Sequence, residues 1–252
     1  MIVKLKNCSS ALTLSGLLLC GNVVQVKIVN AQAAPFTVAQ SNQFEQYYGQ
    51  MNQYSNSAYN EILPFLTALS QMETVETDEQ LLTLVQRLNP LANRIATNFG
   101  QSYQTGEKML PSLKANNPQT EYLHNVITLQ GVGYNTFTSW VNIFNQILTA
   151  YQNQDSKLLQ EVLGQFSPAV EQILSFANQT QGVINQGNQI IASINNNTVA
   201  QPPANITATD ANPYAQMSKM MHQTSINILK NMGASGEWRY NPSTGNDDYY
   251  QF

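Results

Sequence analysis

The heptapeptide MSKMMHQ, which begins at Met217, gathers residue types that bind soft metals or haem. It places Met217, Met220, Met221 and His222 close together, and thioether and imidazole groups are ligands that Cu(I) accepts. On an α-helix, however, Met217 and Met221 share one face with Ile228, and His222 lies about 100° away from Met221. The spacing therefore favours packing of this helix against a core. A soft-metal site is the alternative.

The sequence lacks the residues that a haem site, a di-iron site or a hydrolytic site needs. The two histidines are His124 and His222, and His124 lies beside the expected core position Leu123. Glu121 and His124 have the Glu-x-x-His spacing, but a di-iron bundle requires two such pairs. The chain has neither Gly-x-Ser-x-Gly nor His-Glu-x-x-His. We expect a protein that is not an enzyme and carries no cofactor.

The first 33 residues have the pattern of a secretory signal peptide. Lys4 and Lys6 precede the apolar run ALTLSGLLLC, and an Ala-x-Ala site ends at Ala33. The apolar run is too short to span a bilayer, which needs roughly 20 residues. We expect cleavage after Ala33, a secreted or periplasmic protein, and no transmembrane segment in the mature chain.

Both cysteines, Cys8 and Cys20, fall in this leader. A chain cleaved after Ala33 therefore has no disulfide, no thiol nucleophile and no cysteine metal site. Cys20, in LLLCG, offers a lipid-anchored chain as the alternative, although the bulky Leu19 before it disfavours lipoprotein processing.

The charge distribution excludes nucleic acid as a partner. The leader holds three of the 11 basic residues and none of the 15 acidic ones, so the mature balance is 8 minus 15, or −7. Binding to nucleic acid needs clustered lysine and arginine, and no such cluster occurs. The polar residues are mainly Asn and Gln. Such a surface suits contact with another envelope or extracellular protein.

Apolar residues recur in alternating steps of four and three over four long segments, as in coiled coils. The clearest series is Phe166, Val170, Ile173, Ala177, Thr180, Ile184, Gly187, Ile191 and Ile194. Similar series run over 44–72, 81–113 and 123–151, and the last of these includes Tyr134, Val141 and Leu148. The pattern predicts an all-α fold, an elongated antiparallel four-helix bundle over residues 34–195.

Turn and capping residues agree with these limits. Thr77 and Gln80 suit a capping box, and Asn117 before Pro118 suits a helix start. A polar break at 153–155 precedes the fourth segment. Prolines inside the segments are expected to kink or divide their helices; these are Pro64, Pro90 and Pro168.

The C-terminal part of the chain differs in character. Residues 196–213 are rich in Pro and Asn and predict a linker or strap, and 214–232 predict a shorter helix. The tail, 233–252, could form a small hairpin around NPSTG. Its aromatic residues suit either contact with a partner or docking on the chain's own bundle; they are Trp238, Tyr240, Tyr249, Tyr250 and Phe252.

Together these patterns predict an exported, non-catalytic helical protein that acts through its surface in the cell envelope or outside the cell. The alternative is a bundle that binds a small molecule or a soft metal such as copper.

Overall fold

Six α-helices, two short 3-10 helices (Ser70–Thr74 and Leu110–Ser112) and one short hairpin lie in the part of the chain that the structure describes. The structure is a computed structural model, and it describes residues 38–113, 117–194, 212–232, 237–241 and 246–250. The helices are α1 (Val38–Leu69), α2 (Asp78–Glu107), α3 (Pro118–Gln152), α4 (Ser156–Leu163), α5 (Phe166–Ile194) and α6 (Pro213–Asn231). The strands are β1 (Glu237–Asn241) and β2 (Asn246–Tyr250). The prediction of an all-α helical bundle is confirmed.

Some predicted features lie outside the described residues. They are the signal peptide with its cleavage site after Ala33, Cys20, most of the linker, and Phe252.

The helices begin at the residues that the sequence marks as caps. Thr77 Oγ1 accepts a hydrogen bond from the Gln80 N–H at 3.2 Å, and the Gln80 side chain accepts from the Thr77 N–H at 3.2 Å. Asn117 Oδ1 accepts from the Thr120 N–H at 2.9 Å, with proline next to it at the first helical position. Asp155 caps α4 in the same way. These bonds satisfy N–H groups that have no partner inside the helix.

The predicted fourth helix is two helices. The helix α4 ends at Leu163, and a new helix, α5, begins at Phe166. Pro168 therefore lies in the first turn of α5. Proline is tolerated there because no intrahelical hydrogen bond is lost. Pro64 and Pro90, by contrast, lie inside α1 and α2 without dividing them.

Neighbouring helices contact one another in the order α1, α2, α3, α5, α6, and α6 returns to α1. Contacts run in opposite directions along α1 and α2, since Met51 meets Ser102 while Glu61 meets Arg94. Along α1 and α6, Tyr48 meets His222 and Asn60 meets Asn212, again in opposite directions. α6 is therefore built into the bundle between α1 and α5.

Aromatic rings fill the core where the four longest helices meet. Phe65 of α1 lies edge-on to Trp140 of α3, with ring centroids 5.6 Å apart. Phe99 of α2 meets Phe176 of α5 at 5.3 Å, and Trp140 meets Phe166 at 5.3 Å. Edge-to-face pairs at such distances are favourable beyond the area that they bury. Buried apolar residues from all six helices join in one contiguous cluster.

In the segments 44–72, 81–113 and 166–194, most of the predicted core positions are buried, and a few, such as Tyr47, Leu91 and Ile191, are only partly buried. The prediction is less accurate for the segment 123–151. In α3, Tyr134 is 41% exposed, and Val141 and Leu148 are only partly buried. Trp140 and Ile147 are fully buried instead. α3 contacts four other helices, α2, α4, α5 and α6. A helix with several neighbours buries a wider face than a single seam describes, and this shifts the centre of its buried face.

Within the described ranges, no helix has the length and apolar character that crossing a membrane requires.

Candidate functional site

The methionine-rich stretch lies in α6 and turns most of its side chains into the bundle. Met217 and Met221 are buried, as is Ile228 further along the same face, and Met220 is partly buried against the core. The face predicted to dock α6 is therefore the one that is buried. Methionine suits such a position because its unbranched side chain fills irregular gaps.

A second stripe of α6 is also buried, and the sequence analysis missed it. Ser218, His222, Ser225 and Leu229 follow steps of four, three and four, and each is at most 2% exposed. The signal was present in the spacing. It was hidden because three of the four residues are polar, whereas the search for core positions counted apolar residues. Because the two buried stripes are adjacent, α6 presents a wide buried face and contacts both α1 and α5.

His222 is held between helices by one hydrogen bond. Its Nδ1 lies 2.9 Å from the Tyr48 hydroxyl of α1, and the two rings meet edge-on with centroids 6.0 Å apart. Nε2 is buried and has no hydrogen-bond partner among the described residues. Burial lowers the pKa of His222 to about 3, because an imidazolium ion would lose its hydration there. His222 is therefore neutral at physiological pH.

Other polar side chains fasten α6 to α1. Ser218 Oγ donates to Asn56 Oδ1 at 2.6 Å, and Asn56 Nδ2 donates to Asn52 Oδ1 at 2.8 Å. At the start of α6, Asn212 Nδ2 donates to the Asn60 carbonyl at 3.1 Å. Asn212 also caps α6, since its Oδ1 accepts from backbone N–H groups of the first turn. Side chains of α1 thus fix the register of α6.

Tyr122 joins α3 to the other side of α6. Its hydroxyl donates to the Met221 carbonyl at 3.0 Å, and burial raises the pKa of Tyr122 well above its ordinary value. Its ring also lies against Gly187 of α5, where a Cβ atom would come within 2.7 Å of the ring and 2.3 Å of Thr224. Only a residue without a side chain fits, so Gly187 allows α3, α5 and α6 to approach closely.

The Glu121–His124 pair does not face the interior. Glu121 is exposed at the start of α3, and His124 is half-buried with Nε2 3.3 Å from the Leu113 carbonyl. His124 thus connects α3 to the end of the preceding segment. Nowhere in the described ranges do three or more His, Cys, Asp or Glu side chains form a group that could hold a metal ion.

The C-terminal aromatic residues lie on a two-stranded antiparallel ribbon. The register pairs Trp238 with Tyr249 and Tyr240 with Asp247. The ribbon also carries Tyr250, which is paired with Glu237.

Strand β2 lies against α1. Near the start of α1, Phe44, Glu45 and Tyr48 are all buried. A contact with the bundle is what a two-stranded ribbon needs, because an isolated one is marginal in water.

An open groove of about 480 Å³ lies elsewhere, between α1, α2 and the start of α6. Leu63, Pro64 and Ala68 form its apolar wall, and Arg87 is its charged side chain. The Arg87 guanidinium donates to Gln71 Oε1 in the same groove. The groove is separate from the methionine-rich stretch.

Comparison with known proteins gives no match, since no family model, no curated protein and no solved structure is similar to this chain.

Proposed function

We propose that this chain is an exported, non-catalytic helical protein that acts through surface contacts in the cell envelope or outside the cell. The N-terminal signal-peptide pattern supports export. The residues best suited to catalysis or metal binding have structural contacts: His222 bonds to Tyr48, and His124 bonds to the Leu113 carbonyl.

The observation that carries the contact role is the hairpin. Its register places Trp238 opposite Tyr249, with Tyr240 two positions further along the first strand, and β2 lies against α1. Tryptophan and tyrosine are enriched among the residues that dominate binding at protein interfaces. A partner protein that offers an apolar patch with a polar rim would suit this aromatic ribbon. Docking of the ribbon on the chain's own bundle is the competing use.

Site-specific photo-crosslinking in cells of the native host separates these two uses. A photoreactive residue is placed at Tyr240, and a matched one is placed at Asn178, which is exposed on α5. We expect an adduct with a second protein from position 240 and none from position 178. Exclusively intramolecular products at position 240 would contradict the contact role.

Export is tested separately by cell fractionation and N-terminal sequencing. We expect the mature chain to begin at Ala34, outside the cytoplasm. A lipid on Cys20 would indicate the lipid-anchored alternative, and a cytosolic chain that retains Met1 would disprove export.

A soft-metal site is the second candidate function, and one feature favours it. His222 Nε2 is buried without a hydrogen-bond partner among the described residues, directly beside Met221 in the chain. An unprotonated Nε2 could bind Cu(I), with the sulfur atoms of Met217, Met220 or Met221 as further ligands. Metal analysis and an absorbance spectrum of protein purified from its native host test this candidate.

A further inference from the structure

The interface between α1 and α6 contains a histidine whose protonated form would have an acceptor for only one of its two N–H groups among the described residues. An imidazolium ion has two N–H donors. In the docked helix, Nδ1 faces the Tyr48 hydroxyl at 2.9 Å, and Nε2 faces no acceptor among the described residues. Only 2% of His222 is exposed, so bulk water does not solvate its ring.

We propose that His222 makes the docking of α6 sensitive to acid, so that α6 leaves the bundle on acidification before the other helices unfold. A protonated His222 has to reach water, and α6 can bring it there by separating from α1. The buried stripe of Met217, Met221 and Ile228 would become accessible in the same step.

The pH window follows from linkage. Burial places the pKa of docked His222 at about 3, whereas a histidine in water has a pKa of about 6.5. A basic group whose pKa is lowered in the folded state contributes stability that is complete above pH about 6.5 and declines as the pH falls towards 3. At pH 4.5, two units below the value in water, the equilibrium between open and docked α6 should shift about 100-fold towards the open form.

Other ionisable groups also line this interface or adjoin it. α1 contributes Glu45, which is buried and has contacts of its own, and α3 contributes the Tyr122 hydroxyl. α5 has no ionisable residue after Glu171. α6 carries Lys219, which is exposed, and β2, which lies against α1, carries Asp247 and Asp248.

The carboxylates among these groups titrate at acidic pH as well, so a pH effect by itself does not identify His222. The test must compare proteins that differ only at the histidine.

Hydrogen exchange measured by mass spectrometry on the full chain provides that comparison. Wild type, His222→Gln and His124→Gln are compared at pH 7.0 and 4.5, with correction for the intrinsic pH dependence of exchange. In the wild type and in His124→Gln, we expect the protection of α6 peptides to fall about 100-fold at pH 4.5, while α3 peptides from 122–150 stay protected. In His222→Gln, which is neutral at both pH values, the α6 loss should be absent.

Two outcomes would overturn the proposal. One is an equal loss of protection in α3 and α6, which would mean global unfolding. The other is an unchanged pH response of α6 in His222→Gln.

If His222→Gln does not fold, the proposal is tested on the wild type alone. NMR of the imidazole nitrogens gives the protonation state of His222, and hydrogen exchange gives the opening of α6. A His222 ring that is still neutral at pH 4.5 in the docked protein, with selective opening of α6, supports the proposal. A ring that titrates near pH 6.5 without loss of α6 protection refutes it.

Discussion

At the scale of single residues, the bundle depends on positions where helices touch with little room to spare. Gly187 is the tightest described case, because both Tyr122 and Thr224 occupy the space where its side chain would stand. Gly182 lies on the same helix and has open space at that point. The two glycines have the same intrinsic helix propensity, so any difference between their substitutions reports packing.

Gly187→Ala should lower the free energy of unfolding by about 1–3 kcal/mol, because the new methyl group overpacks the junction of α3, α5 and α6. Gly182→Ala should raise it by up to about 1 kcal/mol, because alanine is the better helix former. Urea denaturation followed by circular dichroism measures both. A Gly187→Ala protein as stable as Gly182→Ala would show that the three helices do not meet so closely.

The methionines of α6 give a second prediction at this scale. Met217→Leu combined with Met221→Leu should change the free energy of unfolding by less than about 1.5 kcal/mol per site, because leucine keeps the apolar volume. Serine at both sites should destabilise by about 2 kcal/mol or more per site. Chemical denaturation checks both statements.

The same leucine pair tests the metal alternative. If the sulfur atoms only pack, calorimetric titration with Cu(I) should give background heats for both the wild type and the leucine pair. Tight one-to-one binding in the wild type that disappears in the folded leucine pair would establish the soft-metal site instead.

At the scale of elements, capping residues decide where helices begin, and neighbouring helices decide which faces are buried. The capping box at Thr77 and Gln80 is local, since its hydrogen bonds link residues three apart. The buried face of α6 is not local. It is wide because α1 bonds to Ser218 and His222 while Tyr122 bonds to the Met221 carbonyl.

Thr77→Ala should destabilise the protein by about 1 kcal/mol, because the Gln80 N–H in the first turn of α2 loses its acceptor, Thr77 Oγ1. Thr83→Ala is the matched control. Thr83 is exposed inside the same helix, its hydroxyl bonds to the Glu79 carbonyl of the preceding turn, and alanine has the higher helix propensity. Thermal denaturation should place Thr83→Ala at or above the wild type. Equal losses in both variants would argue against the cap.

At the scale of the whole molecule, one contiguous core joins all six described helices. Its centre is aromatic and includes Trp140 and Phe144, both fully buried. Its margin beside α6 is more polar and includes His222. The proposed order of events on acidification follows from this division, because the aromatic part contains no group that titrates between pH 7 and 4.

Phe144→Asp should prevent folding, because a carboxylate without a partner would enter the aromatic cluster, and burying such a charge is prohibitive. The neighbouring Asn145→Asp is the control, since residue 145 is exposed and its side-chain oxygen accepts from Asn89 Nδ2 in the native protein. Far-ultraviolet circular dichroism should show loss of helix in the first variant only. A folded Phe144→Asp protein would show that the face of α3 that contains Phe144 is not in the core.

Much of this architecture is determined by the sequence alone, because its causes are local. Steps of four and three in apolar residues predict helices, and the caps at Thr77 and Asn117 predict where two of them start. The same reasoning identified the stripe of α6 that contains Met217 and Met221.

Only the tertiary structure decided which polar residues are buried. The spacing of the stripe that contains His222 suits a buried face, but its residues are mostly polar, and the partner Tyr48 lies 174 positions earlier. Tyr134 shows the converse: its spacing is that of a core residue, yet the position of α2 and α5 around α3 leaves it 41% exposed. Burial depends on how many neighbours a helix has and where they lie. The periodicity of residues within one helix specifies neither.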